Sequence, residues 1–373
     1  MTQLPVARLE DLETPCLVLD RVRVAANAAR LRNHLAGLGA PLRLHVKTAK
    51  SPEVASLVLA GAKTPVTVST LKEAEQFFEA GYRDILYAVG FEQHKLARAQ
   101  ALAARGARLT LLVDNVESAR SVKGFPVLIE IDTDGHRAGV KPEDTAHLLA
   151  IARALEQGGS TAAGVLTHAG DSYNSESVAG IKGIAARERD GAVMAAQALR
   201  KGGYAAPIVS IGSTPTATYA QNLAGVTEVR AGVFVFFDLV MAGIDVCRQD
   251  DIALSVLATV NGRRADKRWI LIDAGWMALS RDRGTARQRV DQGYGVVCDL
   301  DGRPIPGLIV TETNQEHGIV ARRDGGAPPE LGVGTRLRIL PNHACATAAQ
   351  HENYHVVDGG RDVAAVWQRF SGW

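Results

Sequence analysis

The chain has 373 residues, 46% of them hydrophobic, so it can bury a large core and exceeds what one compact domain usually needs; two domains are expected. Forty-two Lys and Arg against 40 Asp and Glu leave a net charge of +2 without a basic stripe or charge block, which speaks against nucleic acid and membrane surfaces and for a small-molecule partner. Cys16, Cys247, Cys298 and Cys345 show no pair spacing, Met1 to Leu12 lack a charged head followed by an apolar run, and no apolar stretch of about 18 residues occurs, so a reducing cytoplasm and no transmembrane span are predicted.

In chain order, a lead-in strand at 16–19 and a helix at 22–38 precede a long alternation. Short β-branched runs at 42–46, 65–69, 84–88, 108–114, 127–132, 163–168, 208–212 and 226–236 read as strands, separated by Ala/Leu-rich stretches with apolar residues every three or four positions. Helix starts are marked by Ser51-Pro52-Glu53 and by Thr70 followed by Glu73 in the capping-box spacing. Strand and helix alternating in this way predict an α/β unit, a (β/α)8 TIM-type barrel, over 15–243. Beyond 245 strand follows strand, with Gly, Pro and Asp turns, at 253–261, 269–273, 295–299, 307–312, 335–339 and 354–357. This predicts an antiparallel all-β domain made of 1–14 and 244–373.

Lys47 ends the first barrel strand, in Leu42-Arg43-Leu44-His45-Val46-Lys47-Thr48. A lysine at the C-terminal mouth of a buried strand is badly placed for solvation and well placed to form an imine with an aldehyde, which points to pyridoxal phosphate; a strand that simply ends in water is the plainer reading. Reactive side chains of parallel barrels sit at the C-terminal ends of strands. At the fifth strand these are Glu130, Asp132, Asp134, His136 and Arg137. Arg137 is the best candidate, a fixed cation for a cofactor ring or its phenolic oxygen, whereas a polar loop accounts equally well for the acids. The sixth strand ends in Thr167-His168-Ala169-Gly170-Asp171-Ser172-Tyr173, where His168 suits stacking on a pyridine ring and Tyr173 suits a phosphate or ring atom. The seventh runs into Gly212-Ser213-Thr214-Pro215-Thr216, whose glycine, hydroxyls and proline-opened helix suit a phosphate, although an ordinary capped helix has the same residues.

Far downstream lies Leu340-Pro341-Asn342-His343-Ala344-Cys345-Ala346-Thr347. If this segment is extended, positions i and i+2 project from one face, so the His343 imidazole and Cys345 thiolate converge, a nitrogen and sulfur pair suited to zinc. Two protein ligands are fewer than the three usual for catalytic zinc, which leaves positions for water and substrate oxygens.

Taken together and in order, Thr14-Pro15, His45-Val46-Lys47-Thr48, Thr167-His168-Ala169-Gly170, Gly212-Ser213-Thr214-Pro215-Thr216, Val229-Arg230-Ala231-Gly232 and Pro341-Asn342-His343-Ala344-Cys345 resemble the metal-activated D-serine dehydratase and D-threonine aldolase family. These are alanine-racemase-like pyridoxal phosphate enzymes of fold type III. The resemblance implies that Lys47 is the Schiff-base lysine, that Gly212, Ser213 and Thr214 line the phosphate, that Arg137, His168 and Tyr173 surround the cofactor, and that His343 and Cys345 hold a metal. It also implies a homodimer acting on a small D-3-hydroxy amino acid. The aldolase branch carries His-Cys-Asp and a harder ion such as manganese where this chain has His343-Ala344-Cys345, and a soft thiolate favours zinc and the dehydratase branch. The implied reaction has Lys47 remove the Cα proton, the cofactor store the electrons and zinc assist departure of the β-hydroxyl, giving a 2-oxo acid and ammonia. A D-threonine-type aldolase, a racemase using Tyr294 as second acid/base, and a non-catalytic pyridoxal phosphate carrier are the rival readings. Glu316 and His317 are either supports of the metal or a strand-end turn, and Arg281, Arg283 and Arg287 either bind a second carboxylate or lie on the surface.

Overall fold

The computed structural model describes residues 7–135 and 137–373. Contacts divide the chain into two units, one built from the chain up to Asn27 together with Val235–Ser371, the other from Ala28–Phe234 with Gly372–Trp373. This cut differs from the one read at 15–243. Strand β1 (Cys16–Asp20) pairs antiparallel with a strand beginning at Leu254 and parallel with one beginning at Asn353, so its hydrogen bonds belong to the β unit.

In the other unit, strands β2 (Leu42–His45), β3 (Val66–Val68), β4 (Asp84–Gly90), β5 (Arg108–Val113), β6 (Pro126–Ile131), β7 (Thr161–Thr167), β8 (Ile208–Ile211) and β9 (Glu228–Ala231) are parallel and close into a barrel, with Leu44 of β2 facing Ala231 of β9. The barrel expected from the alternation is therefore present. Leu86, Leu112, Leu128 and Leu166, from β4 to β7, pack into one apolar cluster. Around Arg43 the barrel is ionic: Arg43 reaches Glu228 at 3.0 Å and Asp84 at 2.6 Å, Ser210 donates to Glu228 at 2.7 Å, and Arg230 donates to Ser210 at 2.9 Å. Buried charges of this kind persist only when paired and hydrogen-bonded.

Local chemistry sets the helix starts. Thr70 Oγ1 accepts from the Glu73 N–H at 3.0 Å, and the Glu73 carboxylate reaches back to the Ser69 N–H at 2.7 Å, which is the expected capping box with its return bond one residue early. The helix Val178–Lys201 buries Ile181, Ile184, Glu188, Ala192, Ala195 and Leu199, one stripe at helical spacing, and packs on β7 and β8. The run expected as a strand at 226–236 is a strand only over Glu228–Ala231 and then a 3-10 turn, Val233–Val235. Val233, Phe234, Val235 and Phe236 are buried, and at Gly232 a side chain would stand 3.0 Å from the His45 carbonyl.

The β unit is a nine-stranded sheet. Its remaining strands are β10 (Leu254–Arg264), β11 (Trp269–Ile272), β12 (Val296–Cys298), β13 (Pro304–Thr313), β14 (Gly318–Arg322), β15 (Arg336–Leu340), β16 (Asn353–Val357) and β17 (Val363–Gln368), in the order β11-β14-β13-β12-β15-β10-β1-β16-β17. Sequence reading finds all of these except β14 and β17. The first follows β13 across a short turn, and the second is an edge strand whose residues are half-buried or exposed. No helix among the described residues is long and apolar enough to cross a membrane.

Candidate active site

The C-terminal mouth of the barrel gathers most of the residues singled out in the sequence. β2 ends at His45 and the chain turns over Val46 to Ala49, closed by a bond from the Lys50 N–H to the Val46 carbonyl at 2.8 Å. Lys47 rides on this turn. It is exposed, against the expected poor solvation, because the strand stops two residues earlier and the turn lifts the side chain clear. Its amine has no hydrogen-bond or ion-pair partner among the described residues, whereas Lys50 pairs with buried Glu73 at 3.3 Å.

Two imidazoles adjoin it. His168 Nδ1 lies 3.1 Å from the Gly212 carbonyl, an acceptor only, so Nδ1 carries the proton and Nε2 presents its lone pair. Burial, and then the charge of Lys47, push His168 down to about 3, and the same two causes, with Arg230, hold His45 well below the usual histidine value. Both rings are therefore neutral at pH 7. The Tyr173 ring centre is 6.2 Å from that of His168, inclined at 49°. His45 Nδ1 and Thr67 Oγ1, on register-paired residues, are buried without hydrogen-bond partners among the described residues, which marks a place where a polar group is wanted.

The cradle after β8 is more tightly bound into the protein than its sequence suggests. The Gly212 N–H donates to Glu188 Oε1 at 3.0 Å, and the Ser213 N–H donates to Thr216 Oγ1 at 3.0 Å. Ser213 Oγ sits 2.9 Å from both Ser172 Oγ and Thr216 Oγ1, while Thr214 Oγ1 accepts from the Phe234 N–H at 3.3 Å. Glycine is required at 212 by the neighbouring strand: φ is +132°, and a Cβ would lie 2.2 Å from the Arg230 carbonyl oxygen. What fits a phosphate is the knot of buried hydroxyls, each able to turn one proton, at the N-terminus of the helix Thr214–Tyr219.

Arg137 lies over buried Glu130 at 3.4 Å, but 59% of its side chain faces solvent. Asp132 braces its own loop: one oxygen takes the Asp134 and Gly135 N–H groups and the other takes Lys141 at 2.6 Å. The Asp171 N–H donates to Asp134 at 2.9 Å, and His136 lies outside the described residues. Arg230, quoted from the sequence only within Val229-Arg230-Ala231-Gly232, is given no role there. Fully buried and lowered to about 10 by burial, it stays charged at neutral pH and spans Ser210 Oγ and, at 2.7 Å, the Thr167 carbonyl directly before His168. A charged residue inside the alternating run Glu228–Ala231 was the available signal.

In the β unit the segment after β15 is not extended as expected. Residues Ala344–Ala348 form a short helix with His343 as its N-cap. The pair meets all the same, and the His343 and Cys345 side chains hydrogen-bond. Asp282 Oδ2 binds His343 Nδ1 at 2.6 Å, leaving Nε2 as the ligand nitrogen. Burial opposes the imidazolium, but Asp282 and Cys345 outweigh it and hold His343 up to about 11 when no ion competes. Buried Asp238 accepts from the Ala344 N–H at 3.0 Å, and Asn342 accepts from Thr285 at 2.9 Å and donates to the Gly293 carbonyl at 2.6 Å, fastening the 280–293 loop beside the pair. Imidazole and thiolate suit a borderline or soft divalent ion.

Both stretches of the chain match known families. The family described as "Alanine racemase, N-terminal domain" matches residues 19–240, and "Putative serine dehydratase domain" matches residues 253–357. D-threo-3-hydroxyaspartate dehydratase of Delftia sp. (strain HT23) is 54% identical, over 97% of this chain and 98% of its own. The chain belongs to the D-serine dehydratase family of alanine-racemase-like, fold type III pyridoxal phosphate enzymes. Another member, D-serine dehydratase of Dictyostelium discoideum, is 30% identical over 98% of each chain. A cysteine-to-alanine mutant of D-threo-3-hydroxyaspartate dehydratase, solved in the metal-free form, has a TM-score of 0.95 at 53% identity, covering 98% of this chain and 100% of that one.

The lesser candidates of this family member are placed as follows. Glu316 and His317 are exposed in the β13–β14 turn, which the Asn314 N–H closes onto the His317 carbonyl at 2.8 Å. Arg281 lies over Trp276 at 4.2 Å, and Arg283 pairs with Asp291 while lying 5.4 Å over the half-buried Tyr294 ring. Arg287 is exposed.

Proposed function

We propose that this protein is a pyridoxal phosphate and divalent-metal-dependent dehydratase that converts a D-3-hydroxy amino acid to a 2-oxo acid and ammonia, with D-threo-3-hydroxyaspartate the first substrate to test and D-serine the second. The observation that carries this reading is the 54% identity with a D-threo-3-hydroxyaspartate dehydratase over nearly the whole of both chains. The donor pair supports it: a thiolate beside an imidazole, rather than a carboxylate, favours zinc.

Lys47 would hold the cofactor, with Arg137, His168 and Tyr173 around its ring and Gly212, Ser213 and Thr214 at its phosphate. When bound, pyridoxal phosphate supplies an electron sink for the pair left by loss of the Cα proton. Lys47 Nζ, exposed and unpaired in the bare chain, is the group that takes that proton. His168, locked by Gly212 and neutral, offers a flat ring face and adds no charge. His343 and Cys345 would hold zinc, which when bound supplies a Lewis acid for the departing β-hydroxyl. Asp282 keeps the His343 ring turned so that Nε2 is the free nitrogen. We further infer a homodimer in the cytoplasm, which sedimentation and fractionation would test.

Release of ammonia and 2-oxo acid from D-threo-3-hydroxyaspartate, D-serine and D-threonine tests the proposal. Glycine and an aldehyde as sole products would replace it with the aldolase reading, and the L-enantiomer would replace it with the racemase reading.

A further inference from the structure

One buried carboxylate plays no part in the chemistry above. Glu188 lies in the middle of the helix Val178–Lys201 and is 1% exposed. A single oxygen, Oε1, accepts the Ala169 N–H and the Gly212 N–H, each at 3.0 Å. Ala169 directly follows His168 in the loop after β7, and Gly212 opens the loop after β8. The same two loops are joined by the His168 Nδ1 bond to the Gly212 carbonyl and by the Ser172 and Ser213 hydroxyls. β7 and β8 themselves pair only over Gly164, Val165 and Leu166 against Ile208, Val209 and Ser210, so nothing in the strand ladder fixes the loops beyond them.

We propose that Glu188 is a positioning residue that ties the His168 loop to the Ser213 hydroxyl knot, and so sets the spacing between the group facing the cofactor ring and the group facing its phosphate. The inference rests on the pyridoxal phosphate reading above. The geometry demands reach rather than charge: one acceptor oxygen at the end of a three-carbon side chain serves two buried amides that have no other partner among the described residues. Burial raises the Glu188 pKa, with Thr216, the two amides and Arg230 acting against it, and a neutral acid offers the same acceptor.

Two conservative variants separate the alternatives in the full chain. Glu188→Gln keeps the acceptor at full reach and removes the charge; Glu188→Asp keeps the charge and withdraws the oxygen by one methylene. Three readouts apply: hydrogen exchange of the peptides containing Ala169 and Gly212 in the cofactor-free chain, pyridoxal phosphate affinity by absorbance titration, and kcat against KM at saturating cofactor. The Gln variant is expected to match the parent within about twofold in all three, while the Asp variant exchanges both amides about tenfold faster, binds the cofactor about tenfold more weakly and loses kcat more than KM rises. The reverse order of the two variants, equal damage in both, or full amide protection in the Asp variant would overturn the tie. Exchange is read without cofactor, so a parent chain that binds no pyridoxal phosphate would sink the functional reading alone.

Discussion

The barrel mouth and the His343–Cys345 corner of the β unit place their reactive groups by opposite means. At the mouth, Lys47, His168, Gly212 and Arg230 stand at the ends of β2, β7, β8 and β9, up to 183 positions apart (230 − 47), and only closure of the barrel brings them into one neighbourhood. In the β unit the two candidate ligands are two positions apart, and what comes from afar is their support: Asp282 for the His343 ring and Asp238 for the Ala344 N–H, while Asn342, next to His343, ties down the loop that carries Asp282. A site made by topology is robust in its spacing but has every member tied to a different strand. A site made by local spacing depends on one loop for its orientation. Substitutions should therefore act differently in the two places.

The largest effect is expected at the mouth. Lys47→Ala removes the amine, and activity should fall by at least about 10³-fold, with loss of the borohydride-stable attachment of cofactor seen by mass spectrometry. An adduct of unchanged mass would move the attachment site. Next comes the ion: His343→Ala, Cys345→Ala or treatment with EDTA should each lower turnover by about 10²-fold, the visible absorbance of bound cofactor staying in place. Full turnover by metal-free protein would remove the Lewis acid from the reaction. A smaller loss is expected from Asp282→Ala, which frees the ring without removing a ligand. Competition with a chelator should report metal affinity weakened by about 10–100-fold, and an affinity equal to the parent's would show that the short helix alone orients His343.

The same contrast explains what was legible in the sequence. Barrel strands declare themselves by β-branched runs and flanking caps such as Thr70 and Glu73, so the closed sheet and the strand-end residues Lys47, His168 and Gly212 follow from pattern. The pair at 343 and 345 is visible because it is local, although the extended segment expected to bring it together is absent: His343 is a helix N-cap. What pattern could not give are contacts between distant elements. Glu188 sits on a helix stripe like a core residue, Asp282 sits in a loop of charged residues, and Gly212, expected to line a phosphate, has its N–H committed to Glu188. β14 and the edge strand β17 go unread, and β17 packs no residue fully into the core.

The smallest effect separates the two regions by pH alone. His168 is neutral when folded, with a pKa near 3 against an ordinary value of 6.5. Between those values the unfolded chain binds a proton that the folded chain refuses, so stability rises with pH across this window and is lost as pH falls through it. For His168 alone the loss from pH 7 to pH 5 amounts to about 2 kcal/mol, and His45, lowered for the same reasons, acts in the same direction. Urea midpoints of the metal-free, cofactor-free chain should therefore fall on acidification, and His168→Asn should flatten that slope. His343→Ala should not, because an imidazole held protonated in the folded state binds its proton in both states below pH 6.5 and adds no slope there. An acid slope that survives His168→Asn and vanishes with His343→Ala would reverse the assignment of the neutral ring to the barrel and the charged one to the β unit.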